Sequence, residues 1–301
     1  MHSLPQIQQG VAKGDFLFLA KAISWIENKQ AGVDEFLESL QPNLTPIIGI
    51  TGPPGAGKST LISCLIEHWV KDGKKVAILS VDPSSPFHKG AILGDRIRMK
   101  DWYTHPHVFI RSLATRGHLG GLMSGMIELT TLLQSAGFDI ILIETVGVGQ
   151  SEVEIAGLAD TTVVVLVPEA GDEVQMMKSG LMEIAQIFVV NKCDRPDAET
   201  FTHHLLHMMR EGMGEQLAIP VIKTIASQQL GIDELVAAIA LQQSNPLSME
   251  RKKQLLKAKV YQIIAAHQMR QLNPTLIEKQ LETEMKLPHF NIFTFSRQFY
   301  K

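Results

Sequence analysis

Short apolar runs rich in isoleucine and valine recur along the chain at 46–51, 75–81, 107–111, 139–143, 161–167, 186–190 and 219–224, with helix-like stretches between most of them. Strand-sized runs separated in this way predict a parallel α/β sheet whose crossover helices cover both faces. The run Thr161–Val167 is almost continuously apolar, as expected of a strand covered on both sides. Ahead of this core, Phe16, Leu19, Ile23 and Ile26 fall at helical spacing and predict an apolar stripe on an N-terminal helix. After Asn245-Pro246 the period turns helical again, with Leu256, Val260, Ile263 and Ile264 on one side and lysines elsewhere. A second helix is expected near 275–286, separated from the first by Asn273-Pro274. Such a helical pair can pack on its own core or on a second subunit, and the pattern favours neither.

The segment joining the first strand to the first core helix carries the most specific chemistry. Gly52, Pro53, Pro54, Gly55, Ala56, Gly57, Lys58, Ser59 and Thr60 fit the phosphate-cradling pattern GxxxxGK[ST]. The glycines let backbone N–H groups converge on phosphates, Lys58 supplies a point charge for the β and γ phosphates, and Ser59 offers a hydroxyl to magnesium. A nucleoside triphosphate with Mg2+ is the expected ligand, lying at the C-terminal edge of the strands. Asn191-Lys192-Cys193-Asp194 follows the run at 187–190 and matches the guanine-reading pattern NKxD. The Asp194 carboxylate can accept from the ring N–H and the exocyclic amine of guanine, whereas adenine offers neither donor and would leave it unpaired. GTP is therefore expected over ATP. The segment Lys223–Ser227 follows the next run and places Ala226 to offer a backbone N–H to the guanine oxygen.

Between these motifs, residues 140–150 form a strand delivering Glu144 followed by glycines. Glu144 is expected beside magnesium, the Gly147 N–H towards the γ-phosphate, and Gln150 is a candidate for orienting the attacking water. Asp82 and Asp95 flank a Pro- and Ser-rich segment; each suits either a hard-oxygen magnesium ligand or an ordinary turn or helix-start residue. The fold expected is an α/β P-loop NTPase with a mainly parallel central sheet flanked by helices. Its parts would be an N-terminal helical extension over 1–45, a GTPase domain over 46–243 and a C-terminal helical arm over 244–301.

Composition narrows the partners. The 301 residues carry a net charge of −3 with no cluster of lysines and arginines, so neither nucleic acid nor an anionic membrane surface is expected as a partner. Cys64 and Cys193 are the two cysteines, which argues against a disulfide framework and for a reducing compartment. Without a secretory signal pattern at the N-terminus, a cytoplasmic protein is expected. His203 and His207, four apart on a helix, and His105 and His107 read as solvated residues, because neither a cysteine nor a His-Glu zinc pattern accompanies them. Met176, Met177, Met182, Met208 and Met209 read as adaptable packing. Arg111 and Arg116 suit either phosphoryl-charge stabilisation or surface anchoring.

Taken together, these residues resemble the methylmalonyl-CoA mutase-associated GTPases of the MeaB type, relatives of the metallochaperone P-loop GTPases. The resemblance spans nearly the whole chain and rests on Val81–Phe87, Gly94–Met99, Phe109–Gly121 and Glu144–Glu152 beyond the generic motifs. It implies a magnesium shell of Ser59, Asp82, Asp95 and Glu144, and two switches around 82–95 and 144–152. It also implies a third switch over 171–180, in which Lys178 is a candidate for catalysis and coupling. The implied activity is Mg-dependent GTP hydrolysis that chaperones a cobalamin-dependent acyl-CoA mutase, gating adenosylcobalamin delivery and protecting or reactivating the enzyme. A cobalamin adenosyltransferase is a further candidate partner, and a homodimer through the C-terminal helices is implied. His88-Lys89, where the family usually has a small pair, and Glu169 in Pro168-Glu169-Ala170-Gly171 depart from the family pattern and bear on client identity. The alternative is a metallochaperone GTPase inserting nickel or another metal, which would call for a cysteine and histidine constellation. A kinase reading conflicts with the guanine-reading Asp194.

Overall fold

Each of the seven apolar runs forms a strand. The computed structural model describes residues 4–82, 99–114, 125–145, 151–168, 180–213 and 219–300. In it, β1 spans Ile47–Thr51, β2 Val76–Asp82, β3 Val108–Ala114, β4 Ile140–Glu144, β5 Thr161–Leu166, β6 Ile187–Val190 and β7 Val221–Lys223. They make one sheet in the order β3-β2-β4-β1-β5-β6-β7, and every neighbouring pair is parallel. β1 lies between β4 and β5, so the chain leaves it to one side for β2 and later crosses to the other side. Such a switch of direction opens a crevice at the strands' C-terminal ends, where α/β sheets hold their ligands.

Side chains of period two divide the interior into two cores. Ile47, Leu79, Ile141, Ile143, Val164 and Phe188 face one way. Ile48, Ile50, Ile78, Leu142, Val163 and Val189 face the other. The second core is closed by helices α4 (Lys58–Lys71) and α9 (Ile232–Ser244), through Leu61, Ile62, Leu65, Leu235 and Ile239. The first is closed by α2 (Phe16–Glu27) and α5 (Met126–Gln134), with α1 (Leu4–Ala12) and α3 (Val33–Glu38) contributing. Strands buried on both faces have no polar side to show, and this explains the unbroken hydrophobicity of Thr161–Val167.

The expected N-terminal stripe is present and is part of the first core: Leu19, Ile23 and Ile26 are buried, and the Phe16 ring lies 5.4 Å from Phe109 and 6.1 Å from Phe138. Asp15 starts that helix by accepting from the Leu17 N–H at 2.8 Å and the Phe18 N–H at 3.3 Å. The strand at 219–224 is shorter than its apolar run, and β3 extends beyond 107–111 to Ala114. The remaining elements are α6 (Ser151–Glu154), α7 (Leu181–Ile184) and α8 (Ala198–Met213), with a 3-10 turn at Ile155–Gly157.

Residues 1–252 and 253–301 form two compact units. The helix α10 (Pro246–Arg270) starts at the expected proline, and α11 (Pro274–Glu284) begins with Pro274 in its first turn and the Asn273 side chain accepting from the Leu276 N–H at 3.2 Å. Within the second unit, Phe295 is buried between Phe290 and Phe299, with ring separations of 5.8 Å and 5.1 Å, after the short helix α12 (Ile292–Ser296). The stripe on α10 is open to solvent in the single chain, from Ile264 at 48% to Leu256 at 60% exposure. Among the described residues, no helix is long and apolar enough to cross a membrane.

One close approach locks the α6 region to the sheet. Ile155, fully buried, enters a notch over Gly49 of β1, where a Cβ would stand 2.7 Å from Ile155 Cγ1 and 3.0 Å from Ala159 Cβ. Overpacking of this kind typically costs about 1–3 kcal/mol. We therefore expect Gly49→Ala to lower stability by about that amount in urea unfolding, and an unchanged midpoint would contradict the notch.

Candidate nucleotide-binding site

The loop after β1 turns into α4 through Gly57, whose φ is 89° and where a Cβ would lie 2.4 Å from the Asn191 amide nitrogen. Only glycine tolerates both the left-handed backbone and that approach. Lys58 follows as the first helical residue. It is buried, and its Nζ donates to the carbonyls of Gly52 at 2.6 Å and Pro53 at 3.0 Å. The ammonium is thus held within the loop that its charge would serve. Ser59 is also buried and donates from Oγ to Glu144 Oε1 at 2.8 Å. Glu144 is brought there by β4, which pairs with β1 so that Glu144 lies opposite Ile50. Ser80, its partner across β2, donates to Oε2 at 3.4 Å. Nearby, Thr145 Oγ1 and Thr51 Oγ1 meet at 2.8 Å and fasten the ends of the two strands.

The second loop is tied to the first by side chains. Asn191, 2% exposed, donates from Nδ2 to the Ala56 carbonyl at 2.8 Å. Its Oδ1 accepts from Thr224 Oγ1 at 3.0 Å and from the Ala226 N–H at 3.1 Å. Lys192 adopts φ 58° and donates from Nζ to the Gly55 carbonyl at 2.7 Å. Cys64 on α4 donates to the Ala226 carbonyl at 3.1 Å, and the Cys193 thiol to the Val190 carbonyl at 3.1 Å. Burial pushes both thiols above the usual cysteine range, so they behave as packing groups rather than ready nucleophiles.

The structure therefore brings Gly52, Pro53, Gly55, Ala56, Gly57, Lys58, Ser59, Glu144, Asn191, Lys192 and Ala226 to one edge of the sheet. Pro54 is exposed at the loop tip, Thr60 continues into α4, and Asp194 is exposed in the turn after Cys193. The Ala226 N–H, expected towards the base, donates here to Asn191. Asp82 ends β2 on the same edge. Asp95, Gly147, Gln150 and Lys178 lie outside the described residues, as do His88, Lys89, Arg116 and Glu169.

Arg111 takes the anchoring role. It sits mid-strand on the edge strand β3, opposite Leu79, and its Nη2 donates to Glu27 on α2 at 2.5 Å and to Ser24 at 3.4 Å. His203 and His207 are exposed on α8, and no group of three or more possible metal ligands occurs among the described residues. Met209 is buried, with Met182 and Met208 packed against the same core.

Five polar side chains were given no role of their own by the sequence reading: Ser80, Thr224, Thr51, Thr145 and Glu152. Ser80 carries no motif, and Thr224 lies in the Lys223–Ser227 segment without a role of its own; each is recognised only from the strand pairing that sets it opposite Glu144 or beside Asn191. The Thr51–Thr145 bond depends on the same pairing. Glu152 is 6% exposed, and its signal was faint: a carboxylate three residues before the buried Ile155 on a helical turn.

A central parallel sheet, a glycine loop capping a helix with a buried lysine, and a base-side loop hydrogen-bonded to it define a P-loop nucleotide-binding protein of the guanine-reading kind. The family model described as methylmalonyl-CoA mutase-associated GTPase MeaB matches residues 19–281. The chain is 44% identical over 264 residues to a protein of Pyrococcus abyssi, covering 84% of this chain and 81% of the relative. It is 37% identical over 259 residues to the GTPase ArgK of Escherichia coli, covering 80% and 78% respectively. A crystal structure of an LAO/AO transport system kinase superposes with a TM-score of 0.71 at 25% identity, covering 98% of this chain and 96% of that one. The chain belongs to the MeaB family of GTPases and is a GTP hydrolase.

Asn191 holds three partners in a buried position. Asn191→Ala is expected to lower stability by about 2–4 kcal/mol, since the Ala56 carbonyl and the Ala226 N–H would lose their partner. Thermal unfolding together with GTP titration would show both the loss of stability and a weakened nucleotide; wild-type behaviour in either would contradict the tie.

Proposed function

We propose that this GTPase is a Mg-dependent conformational timer that chaperones a cobalamin-dependent acyl-CoA mutase, namely methylmalonyl-CoA mutase. It would gate adenosylcobalamin delivery and protect or reactivate the loaded enzyme. The match to the mutase-associated family over residues 19–281 carries this reading. A cobalamin adenosyltransferase fits the same scheme as a second partner. The proposed division is an N-terminal extension over 1–45, a GTPase domain over 46–243 and a C-terminal arm over 244–301 that joins two copies. The open stripe of Leu256, Val260, Ile263 and Ile264 supports that last role, because a contiguous apolar face in a soluble chain usually has a partner.

In this reading the backbone of Gly52–Thr60 cradles the phosphates, and Lys58 leaves the loop carbonyls for the β and γ oxygens. Ser59 and Glu144 are hard oxygen donors already in contact at 2.8 Å, a donor set that suits magnesium. Asp82 and Asp95 would complete the shell. A bound magnesium ion would neutralise charge on the phosphate oxygens. Gly147 would offer its N–H to the γ-phosphate, Gln150 would orient water, and Lys178 would serve catalysis or coupling within 171–180. Asn191 and Lys192 brace the phosphate loop from the base side, Asp194 reads the guanine donors, and Ala226 lies beside the base. Much of the rate then comes from position and preorganised charge.

Asp194→Asn should weaken GTP by about a hundredfold or more and admit xanthosine triphosphate, because the amide donates where the carboxylate accepted. Nucleotide competition titration reads this, and unchanged GTP affinity would remove the base-reading role. Phosphate release from GTP and ATP should be selective for GTP and faster with purified methylmalonyl-CoA mutase present. Selective release that no acyl-CoA mutase accelerates would overturn the client assignment while leaving the GTPase standing.

A further inference from the structure

β2 carries one side chain that its surroundings do not call for. Val76, Ala77, Ile78, Leu79 and Val81 are apolar and buried, as a strand covered on both faces requires, yet Ser80 is buried among them at 7% exposure. A buried hydroxyl is costly unless it is hydrogen-bonded, so a serine at this place needs a partner. The strand lies between β3 and β4, which set Ser112 on one side of Ser80 and Glu144 on the other. The hydroxyl turns to Glu144 and donates to Oε2 at 3.4 Å.

The sheet register explains why these two groups meet. Residues paired across neighbouring strands project from the same face. Ile48, Leu142 and Ile78 make one such row, part of the core that α4 closes. Two residues further towards the C-terminal edge, the row is Ile50, Glu144 and Ser80. It turns polar where the sheet reaches the phosphate loop. Ser59, in the first turn of α4, reaches the same carboxylate from the helix side and donates to Oε1 at 2.8 Å. One carboxylate oxygen is therefore held from the helix and the other from the sheet. The last torsion of a glutamate is broad, so a single donor leaves the plane of the carboxylate loosely set and a second donor on the other oxygen narrows it.

We propose that Ser80 is a positioning residue for the magnesium carboxylate: it holds Glu144 Oε2 from the sheet, so that the carboxylate meets the cation already oriented. Ser59 is itself a candidate ligand of the ion, and its oxygen would be shared between cation and carboxylate. Ser80 lies outside the phosphate loop, on a strand paired along both edges, and its hydroxyl serves Glu144. Groups that orient a metal ligand from behind tune the affinity for the metal. The contact is long for a hydroxyl–carboxylate bond, which places its effect at the low end for such groups. The inference rests on the reading that magnesium binds at Ser59 and Glu144, and it holds whichever client is served.

The test is GTP affinity as a function of free Mg2+ in wild type, Ser80→Ala and Ser80→Thr. Ser80→Ala removes the hydroxyl and little else. It should raise the Mg2+ concentration that half-saturates tight GTP binding by about threefold to tenfold, while GTP affinity in excess chelator changes by less than about twofold. Ser80→Thr keeps the hydroxyl in a residue suited to strands and should return the Mg2+ requirement towards wild type. An unchanged Mg2+ requirement in Ser80→Ala would overturn the proposal. So would a loss of GTP affinity equal with and without Mg2+, or a Ser80→Thr variant that matches wild type in chelator yet keeps the raised requirement. Wild-type GTP affinity indifferent to Mg2+ would instead overturn the magnesium reading on which the proposal rests.

Discussion

The nucleotide site depends on the Asn191 amide. One buried side chain holds the Ala56 carbonyl of the phosphate loop, the Thr224 hydroxyl and the Ala226 N–H together. These groups follow two strands, β1 and β7, and Asn191 itself follows a third, β6, so this residue helps to set the distance between the phosphate side and the base side. The tie also explains Gly57: the loop passes so close to the Asn191 nitrogen that a Cβ there would stand 2.4 Å from it. Lys192 repeats the device one residue later at the Gly55 carbonyl. The two loops behave as one unit because the polar groups that a buried backbone must satisfy are satisfied by each other.

Charge is arranged around that unit with similar economy. Lys58 and Ser59 are adjacent in sequence yet reach different partners: Ser59 donates to Glu144, and Lys58 donates to the Gly52 and Pro53 carbonyls. Glu144 is held by hydroxyls from α4 and β2. Glu152 is a second buried acid, at 6% exposure against 4% for Glu144, and desolvation raises its pKa above the usual carboxylate range.

Much of this was legible in the sequence, for physical reasons. The seven strands were visible because a parallel sheet buried on both faces leaves each strand as an unbroken apolar run, and the phosphate and base loops because their geometry restricts residue type. Leu19, Ile23 and Ile26 announced an N-terminal helix by period, though not that it would close the same core as β1 and β4. The roles of Ser80 and Thr224 were illegible because their partners, Glu144 and Asn191, lie tens of residues away and meet them only through the sheet. The ambiguity at Arg111 had the same source: only the position of β3 at the sheet edge, with Glu27 beside it, decides for anchoring.

The sheet order also decides which strand ends lie beside the phosphate loop. β1 carries the phosphate loop, and its two neighbours are β4 and β5. Those strands lead into 144–152 and, beyond Leu166, into 171–180, the segments that the family resemblance marks as its second and third switches. The ends of β4 and β5 each lie one strand spacing from the strand that leads into the loop holding Lys58, and the short helices α6 and α7 pack on each other. The parallel topology that makes the site thus gathers the ends of β4 and β5 around β1, and β1 itself is pinned where Ile155 closes over Gly49.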